Sequence, residues 1–175
     1  MFSDQYWLNI CKSISGNSKC FSRKLSAIIV KDNKFIISTG YNGPPSGCKH
    51  CNDQDYREYL VGLKGMLNWD SKYDNPDSCP RREPLDFKSG EGLEYCQAAH
   101  AERNAISIAA KLGHSTDNCI MYLNCIIPCF ECAKSIINAG IKEVIVEKLE
   151  DYETSGITGR YLLEQAGVKI REFKL

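Results

Sequence analysis

The sequence predicts an α/β fold in which helices cover both faces of one five-stranded sheet. Two observations support this prediction. Short β-rich runs alternate with longer segments of helical periodicity, in the order β-β-α-β-α-β-α-β behind an N-terminal helix. The chain of 175 residues is also long enough to bury the core of one domain. We therefore expect a single domain over residues 1-175, with an insertion at about 52-96.

The N-terminal part of the chain is predicted to form a helix followed by a β-hairpin. Apolar residues recur at helical spacing over residues 3–15, with Ser3 or Asp4 as the N-cap and Gly16 as the stop. Two β-rich runs follow at 25–30 and 35–39, and the Asp-Asn pair between them is typical of a tight turn. A Gly- and Pro-rich loop comes next at 40–47. Loops at strand ends are where α/β proteins tend to place ligand contacts.

The segment that follows has a weaker pattern. A short helix is predicted over 56–66, whereas 68–92 is polar, contains proline and shows no period. A stretch of this length without regular structure is either an insertion tied down by other interactions or a mobile flap.

The second half of the chain is predicted to alternate helices and strands, and glycine residues mark the ends of its helices. Its predicted elements are a helix at 98–112, a strand at 119–127, a helix at 128–139, a strand at 143–146, a helix at 156–166 and a strand at 168–173. His100 would lie in the first turn of the first of these helices, and Cys129 and Cys132 in the first turn of the second. Helix dipoles favour thiolates at such positions, so two helix N-termini are expected to converge on one site.

Charge and hydropathy exclude some classes of function. The chain has 22 basic and 22 acidic residues, which argues against a basic face that binds nucleic acid without regard to sequence. The N-terminal residues do not resemble a secretory leader, and no apolar run approaches membrane-spanning length. We expect a cytoplasmic protein, in the host cytoplasm if it is viral, with neither a membrane nor a nucleic acid as partner. Its ten cysteines are then better explained by metal ligation and buried thiols than by disulfides.

Two short motifs carry the chemistry. The first motif is His100-Ala101-Glu102, and the second, later in the chain, is Pro128-Cys129-Phe130-Glu131-Cys132. One imidazole and two thiolates give three protein ligands for a tetrahedral Zn²⁺ and leave the fourth position for water, as in catalytic zinc sites. Glu102 would then act as the general acid and base. Alone, the Cys-x-x-Cys pair could be a redox pair or half of a structural zinc site, but the combined H-x-E…P-C-x-x-C pattern is that of zinc-dependent nucleobase deaminases.

With these motifs the chain resembles the deoxycytidylate (dCMP) deaminase family of the cytidine deaminase superfamily. The resemblance rests on residues 24–30, 38–44, 100–106, 128–134 and 139–145. It implies a three-layer α/β/α cytidine deaminase-like fold with a mixed five-stranded sheet. It also implies zinc-dependent hydrolysis of dCMP to dUMP, which supplies the precursor of thymidylate. Ser26 departs from the glycine that is more frequent in relatives.

The resemblance also implies a set of substrate contacts. Asn42 is expected to hydrogen-bond the deoxyribose and Tyr152 to lie near the base, although an Asn-Gly pair can simply form a turn. Ala101 and Pro128 are expected to line the substrate site. A 5′-phosphate needs cationic or N–H donors. The candidates for that role are Ser22, Arg23 and Lys24, with Arg103 and Arg160 behind them, although each could be solvated surface.

Relatives with a similar insertion carry a second, structural zinc. By resemblance its ligands would be Cys20, Cys51, Cys79 and Cys96, with Cys48 and His50 as substitutes. Such a site would tie the insertion to the core. The alternative is that some of these are ordinary buried thiols. Cys11, Cys119 and Cys125 lie in helix or strand patterns and are assigned to the core.

The resemblance further implies regulation. Many members of the family are hexamers that dCTP activates and dTTP inhibits, with Mg²⁺ accompanying the triphosphate. The corresponding residues here would be Asn42, Gly43, Gly47 and His50. Competing hypotheses are a deaminase of another cytosine nucleoside or nucleotide, of guanine or of tRNA adenosine, a non-catalytic dNTP-binding regulatory protein that keeps zinc for stability, and an accessory role in DNA uptake.

Overall fold

The computed structural model describes residues 2–62, 75, 77–83, 85–88, 91–153 and 155–174. The helices are α1 (Asp4–Ser15), α2 (Gln54–Gly62), α3 (Ala101–Lys111), α4 (Phe130–Asn138) and α5 (Gly159–Gln165), with a 3₁₀ turn at Leu93–Tyr95. The strands are β1 (Ser26–Lys31), β2 (Phe35–Tyr41), β3 (Ile120–Leu123), β4 (Glu143–Val146) and β5 (Lys169–Glu172). Within the described part of the chain, every helix is too short or too polar to span a bilayer.

The five strands form one mixed sheet in the order β2-β1-β3-β4-β5. β1 is antiparallel to both β2 and β3, whereas β3, β4 and β5 are parallel. The β1–β2 hairpin turns at Asp32 and Asn33, which both have positive φ angles of about 50°. Asx residues tolerate this left-handed conformation, so the predicted tight turn is confirmed.

Helices cover both faces of this sheet, which confirms the predicted three-layer α/β/α architecture. On one face, α1 buries Trp7 and Cys11 against Ile28 and Tyr122. On the other face, α3, α4 and α5 pack over a larger apolar cluster that includes Ile29, Met121, Val144 and the helical residues Ala105, Ile136 and Leu163. Serine is accommodated at position 26 because its buried hydroxyl donates to the Cys11 carbonyl at 2.6 Å.

Several predicted boundaries were wrong by a few residues. The predicted strand at 119–127 is regular only over Ile120–Leu123, because the Asn124 side chain then accepts the Ser26 N–H at 2.6 Å. His100 and Cys129 are the N-cap residues of α3 and α4, with extended backbone, and so lie just before the first helical turn. α5 begins later than predicted because Thr158 caps it. The predicted helix at 56–66 is α2, and its last four residues lie outside the described residues.

The sheet topology brings the sequence motifs to one edge. β3 ends at Leu123, and the antiparallel strand β1 begins beside it, with Ala27 opposite Leu123. β2 ends at the same edge, where Ser26 pairs with Tyr41. The loop after β3 leads to Cys129, while α3 crosses β2 closely enough that a Cβ on Gly40 would stand 2.4 Å from the Ala101 carbonyl oxygen. The helix starts, the loop after β2 and the segment before β1 therefore meet at one end of the sheet.

Candidate active site

Three side chains with metal-binding atoms meet where α3 and α4 begin. The His100 Nδ1 atom lies 3.4 Å from the sulfur of Cys129 and 3.4 Å from that of Cys132. Among the described residues, this is the one group of three or more such side chains whose ligand atoms all lie within 4.8 Å of one another. The two halves of the sequence motif are thus brought together as predicted.

The geometry of this cluster fits a zinc ion. Zinc–nitrogen bonds near 2.0–2.1 Å and zinc–sulfur bonds near 2.3 Å at tetrahedral angles place a ligand nitrogen and a ligand sulfur about 3.6 Å apart. The two separations of 3.4 Å are close to that value. His, Cys and Cys leave one tetrahedral position without a protein ligand, as in catalytic zinc sites. The donor set therefore suits a catalytic rather than a structural ion.

The two thiols have pKa values that are shifted in opposite directions. A hydrogen bond with Cys132 lowers the pKa of Cys129 to about 4, against the opposing effect of burial and with the help of a hydrogen bond with His100. The same hydrogen bond, followed by burial, raises the pKa of Cys132. The thiolate form of Cys129 is thus favoured in the protein without metal. A bound cation would also favour the thiolate form of Cys132, because metal ligation deprotonates thiols.

Glu102 is placed as a proton carrier beside this cluster. It is the second residue of α3 and only 6% exposed, and among the described residues it forms no ion pair. Burial raises the pKa of its carboxyl group, an effect opposed by the nearby His100. A buried carboxyl group with a raised pKa beside a metal-binding cluster is suited to act as a general acid and base.

A second carboxylate, Glu153, connects the starts of two helices at the site. One of its oxygens accepts the N–H of Phe130, and the other accepts the N–H of Gly159 at 3.1 Å. Backbone N–H groups at the start of a helix have no acceptor within that helix, and Glu153 supplies one for each of these two. The two hydrogen bonds thereby fix the loop that carries Tyr152. The Tyr152 ring meets the His100 ring edge-on, with centroids 6.2 Å apart. Tyr152 was predicted at the site from the sequence, whereas the role of Glu153 was not.

The cluster opens into a cavity of about 380 Å³, within the usual size range of small-molecule sites. The previously predicted residues in its wall are Cys20, Ser22, Arg23, Asn42, Cys96, His100, Ala101, Glu102, Arg103, Cys129, Cys132 and Tyr152. Other predicted residues do not line it, namely Lys24, Gly43, Gly47, Cys48, His50, Cys51, Cys79, Pro128 and Arg160. Arg160 instead pairs with Asp151 at 3.0 Å, and Pro128 is buried.

Asn42 is held by a network within the chain. Its Oδ1 atom accepts the Leu25 N–H at 2.9 Å and the Ser18 hydroxyl at 2.8 Å, and its Nδ2 atom donates to the Arg23 carbonyl at 2.8 Å. Asn42 therefore fixes the segment that carries Ser22 and Arg23 along the cavity. Its predicted contact with deoxyribose stays a prediction, and one Nδ2 proton remains for it.

The four cysteines predicted to hold a structural zinc lie around the insertion. Burial, followed by the influence of Cys96, Cys79 and Cys20, raises the pKa of Cys51 to about 12. Their sulfur atoms do not come within 4.8 Å of one another as a group. Cys48 is exposed and His50 is half-buried.

Two arginines in the cavity wall were missed by the sequence analysis. Arg81 and Arg82 both belong to the insertion, and both line the cavity. The available signal was the Cys-Pro-Arg-Arg run at 79–82, a pair of adjacent cations next to a candidate metal ligand. It could not be interpreted from the sequence because the insertion has no pattern that indicates where it folds.

Replacing Gly159 should disturb the metal-binding loop. A Cβ at this position would stand 1.9 Å from the Pro128 carbonyl oxygen, so Gly159→Ala must displace the backbone before Cys129. We expect overpacking to lower the free energy of unfolding by about 1–3 kcal/mol and to reduce zinc occupancy. Thermal unfolding and metal analysis measure both quantities. Gln165→Ala, at an exposed position of the same helix, is the control, and equal zinc content in all three proteins would contradict the expectation.

Comparison with known proteins gives consistent results. The family model described as the cytidine and deoxycytidylate deaminase zinc-binding region matches residues 1–148. The deoxycytidylate deaminase of Enterobacteria phage T4 is 33% identical over 176 residues, covering 93% of this chain and 86% of the phage protein. The deoxycytidylate deaminase of Schizosaccharomyces pombe is 29% identical over 97% of this chain, which spans only 44% of the length of that relative.

The same family is found among solved structures. The dCMP deaminase of cyanophage S-TIM5, solved in complex with dCMP and dUMP, superposes with a TM-score of 0.65 at 25% identity. The match covers 97% of this chain and 95% of the cyanophage chain.

Proposed function

This chain belongs to the cytidine and deoxycytidylate deaminase family, and from that membership we propose that it is a zinc-dependent enzyme that hydrolyses dCMP to dUMP and ammonia. The observation that carries the proposal is that the His100, Cys129 and Cys132 cluster and the buried Glu102 line the same cavity. Hydrolysis of dCMP would supply the precursor of thymidylate in the cytoplasm.

Each site residue has a defined part in this reaction. His100, Cys129 and Cys132 would hold a zinc ion, which would supply the Lewis acidity that lowers the pKa of a water molecule to about 7. Glu102 accepts a proton from the attacking water and delivers it to N3 of the cytosine ring, while the water oxygen bonds to C4. It then transfers the second proton to the amino group at C4, which leaves as ammonia. Glu102 is only 6% exposed, which limits the access of bulk water to these proton transfers.

The choice of dCMP rests on the relatives rather than on the zinc chemistry. Two of them are deoxycytidylate deaminases by name, and the cyanophage enzyme was solved with dCMP and dUMP bound. The main alternative is a deaminase of another cytosine nucleoside or nucleotide. A non-catalytic dNTP-binding protein is disfavoured because a structural zinc has no use for a buried acid such as Glu102. A role in DNA uptake would not require turnover.

A substrate panel tests the proposed function. Zinc-loaded protein is mixed with dCMP, CMP, deoxycytidine, cytidine, dCTP, guanine and a tRNA anticodon stem, and deamination is followed by ultraviolet absorbance. We expect the highest kcat/KM for dCMP. Turnover of cytidine or deoxycytidine in preference to dCMP would replace the substrate assignment, and no turnover of any compound by zinc-loaded protein would support a non-catalytic role.

We also propose a second, structural zinc held by Cys20, Cys51, Cys79 and Cys96. The influence of Cys96, Cys79 and Cys20 on the pKa of the Cys51 thiol supports it, and because no three of the four sulfur atoms lie within 4.8 Å of one another, binding of the ion would have to draw them together. The small size of the apolar cluster in the insertion, where the buried residues are Tyr56 and Leu60, also supports this second zinc. Small apolar clusters often need a metal to remain ordered.

Metal analysis should find two zinc ions per chain in the wild-type protein and one in Cys79→Ala. Cys79 is buried, so this variant should also unfold at lower temperature. Cys48→Ala serves as the matched control because Cys48 is exposed. Retention of two zinc ions by Cys79→Ala would remove Cys79 from the ligand set, and loss of one in Cys48→Ala would assign Cys48 instead.

We propose regulation as well, with dCTP as activator and dTTP as inhibitor, each bound with Mg²⁺ in a homo-oligomer such as a hexamer. The effector residues would be Asn42, Gly43, Gly47 and His50. One contact supports a link to the active site: Gly43 and Ala99 exchange backbone hydrogen bonds of 3.2 and 2.9 Å, immediately before His100. Movement of the loop that contains Gly43 would therefore reach a zinc ligand.

A further inference from the structure

The loop after β4 is bonded to α5 on both sides of Tyr152. Before Tyr152, the Asp151 carboxylate pairs with the Arg160 guanidinium group at 3.0 Å. After it, the Glu153 carboxylate accepts the Gly159 N–H at 3.1 Å. Tyr152 is therefore flanked by two carboxylates that are each bonded to the start of the same helix.

The three residues 151–153 face two different sides of this loop. Tyr152 lines the cavity, where its ring meets the His100 ring edge-on. Asp151 and Glu153 do not line the cavity and instead contact α5. Because both flanking side chains are held on one side, the tyrosine between them is directed to the other side. The two carboxylates thereby give Tyr152 a fixed orientation beside a residue of the metal-binding cluster.

Glu153 also contacts the segment that carries the two cysteines of this cluster. Its second carboxylate oxygen accepts the N–H of Phe130, the residue directly after Cys129. Phe130 and Gly159 are the first helical residues of α4 and α5. Backbone N–H groups at these positions have no acceptor within their own helix and carry partial positive charge. One carboxylate thus serves two helix starts.

The two helix starts are in direct contact, which explains why they share an acceptor. A Cβ on Gly159 would stand 1.9 Å from the Pro128 carbonyl oxygen and 3.0 Å from the Cys129 carbonyl carbon. No side chain therefore fits between α5 and the backbone that carries Cys129. The partial positive charges of two helix starts that meet in this way repel each other, and a carboxylate bonded to both offsets the repulsion.

We propose that Glu153 is a positioning residue that holds the backbone at Cys129 and the cavity residue Tyr152 in one rigid unit. The inference rests on the proposed zinc-dependent deamination and deepens it, because it names a residue that acts through its neighbours. Outer groups that fix the orientation of metal ligands contribute about 10- to 100-fold to metal affinity or activity. Since the same carboxylate orients Tyr152, its loss is expected to change zinc retention and substrate turnover together.

The competing explanation is that Glu153 only caps two helices. Loss of a cap lowers the stability of the fold but does not alter how the folded protein holds zinc. Thr158 provides a matched control, because its hydroxyl oxygen caps α5 by accepting the Tyr161 N–H at 3.2 Å. Within the described part of the chain, the Thr158 side chain makes no hydrogen bond to α4. Thr158→Ala therefore reports the effect of a lost cap alone.

The first test measures how tightly zinc is held against a colorimetric chelator, well below the unfolding temperature of each protein. The zinc that Cys132→Ala lacks is assigned to the His100 cluster. We expect Glu153→Ala to hold that zinc about 10- to 100-fold more weakly than the wild-type protein. Glu153→Gln keeps one acceptor oxygen and should lie between the two, and it serves as the test if Glu153→Ala does not fold. Thr158→Ala should unfold at a lower temperature but hold zinc within about twofold of the wild type.

A double-mutant cycle provides the second test, on zinc-saturated proteins so that lost metal does not contribute. Tyr152→Leu and Glu153→Ala are compared singly and together. If Glu153 acts on turnover by orienting Tyr152, the double variant should lose no more kcat/KM for dCMP than the more impaired single variant. Effects that simply add would show that Glu153 does not act through Tyr152 and would overturn the proposed coupling.

The outcomes separate this inference from the proposed function. Equal zinc affinity in Glu153→Ala and Thr158→Ala, with zinc bound and dCMP turned over by the wild type, overturns this inference alone. If the wild type holds zinc at the His100 cluster but leaves dCMP unchanged, the substrate assignment fails, and the chelator measurement still decides the role of Glu153. A wild-type protein that binds no zinc at this cluster overturns the proposed function and this inference together.

Discussion

Replacing Glu102 by glutamine is expected to abolish catalysis while leaving the metal in place. The amide has nearly the same shape as the carboxyl group, but it cannot carry a proton between water, N3 and the leaving amino group. General acid–base catalysis contributes about 10²–10⁴-fold, so kcat for dCMP should fall by at least that range. Zinc content and the affinity for dUMP should stay close to those of the wild-type protein.

Glu131→Gln is a matched control for this experiment. Glu131 is the second residue of α4, as Glu102 is of α3, and it also lines the cavity, but it is exposed and paired with Lys134. The control should retain most of its activity. If Glu102→Gln turned over dCMP at the wild-type rate, Glu102 would not be the proton carrier, and Glu131 would become the next carboxylate to consider.

Removing one thiolate from the metal cluster should have an effect at least as large. Cys132→Ala leaves only two of the three zinc ligands, so Glu102 no longer has a bound cation beside it. We expect one zinc fewer per chain and loss of measurable deamination, because water is no longer activated near neutral pH. Metal analysis and the ultraviolet assay measure the two outcomes on the same preparation.

The control for that variant is Cys119→Ala. Cys119 is also fully buried, but it lies in the main apolar cluster away from the metal-binding atoms. Both substitutions remove one buried sulfur atom, so they share the cost of a small core cavity. Full zinc content in Cys132→Ala, or equal loss of activity in Cys119→Ala, would show that Cys132 acts through packing and not through the metal.

The architecture and the metal cluster could be predicted because each follows from local patterns. The β1–β2 hairpin rests on residues that tolerate left-handed backbone, and Asp32 and Asn33 adopt it. The parallel strands follow from helices that alternate with short β-rich runs. His100 and Cys129 could be paired in advance because the chemistry of three zinc ligands restricts the choice of partners. Exact helix starts were less accessible, since capping residues lie between loop and helix.

The insertion could not be predicted because its contacts are distant in sequence and mostly involve main-chain atoms. Arg81 reaches the Glu91 carbonyl and Arg57 reaches the Ser78 carbonyl, and no sequence pattern indicates such acceptors. Asn42 shows a related difficulty. The family resemblance predicts that Asn42 contacts the substrate. In the structure its side chain also holds the segment before β1 through three hydrogen bonds. One residue can perform both tasks, and the sequence indicates only the first.

The central claim is that this chain hydrolyses dCMP by means of zinc held at His100, Cys129 and Cys132. The most direct test is to incubate zinc-loaded protein with dCMP in water enriched in heavy oxygen and to analyse the products by mass spectrometry. The account predicts dUMP that carries one heavy oxygen atom at C4 and an equal amount of ammonia, neither of which forms with Glu102→Gln. Unchanged dCMP in the presence of zinc-loaded, folded protein would contradict it.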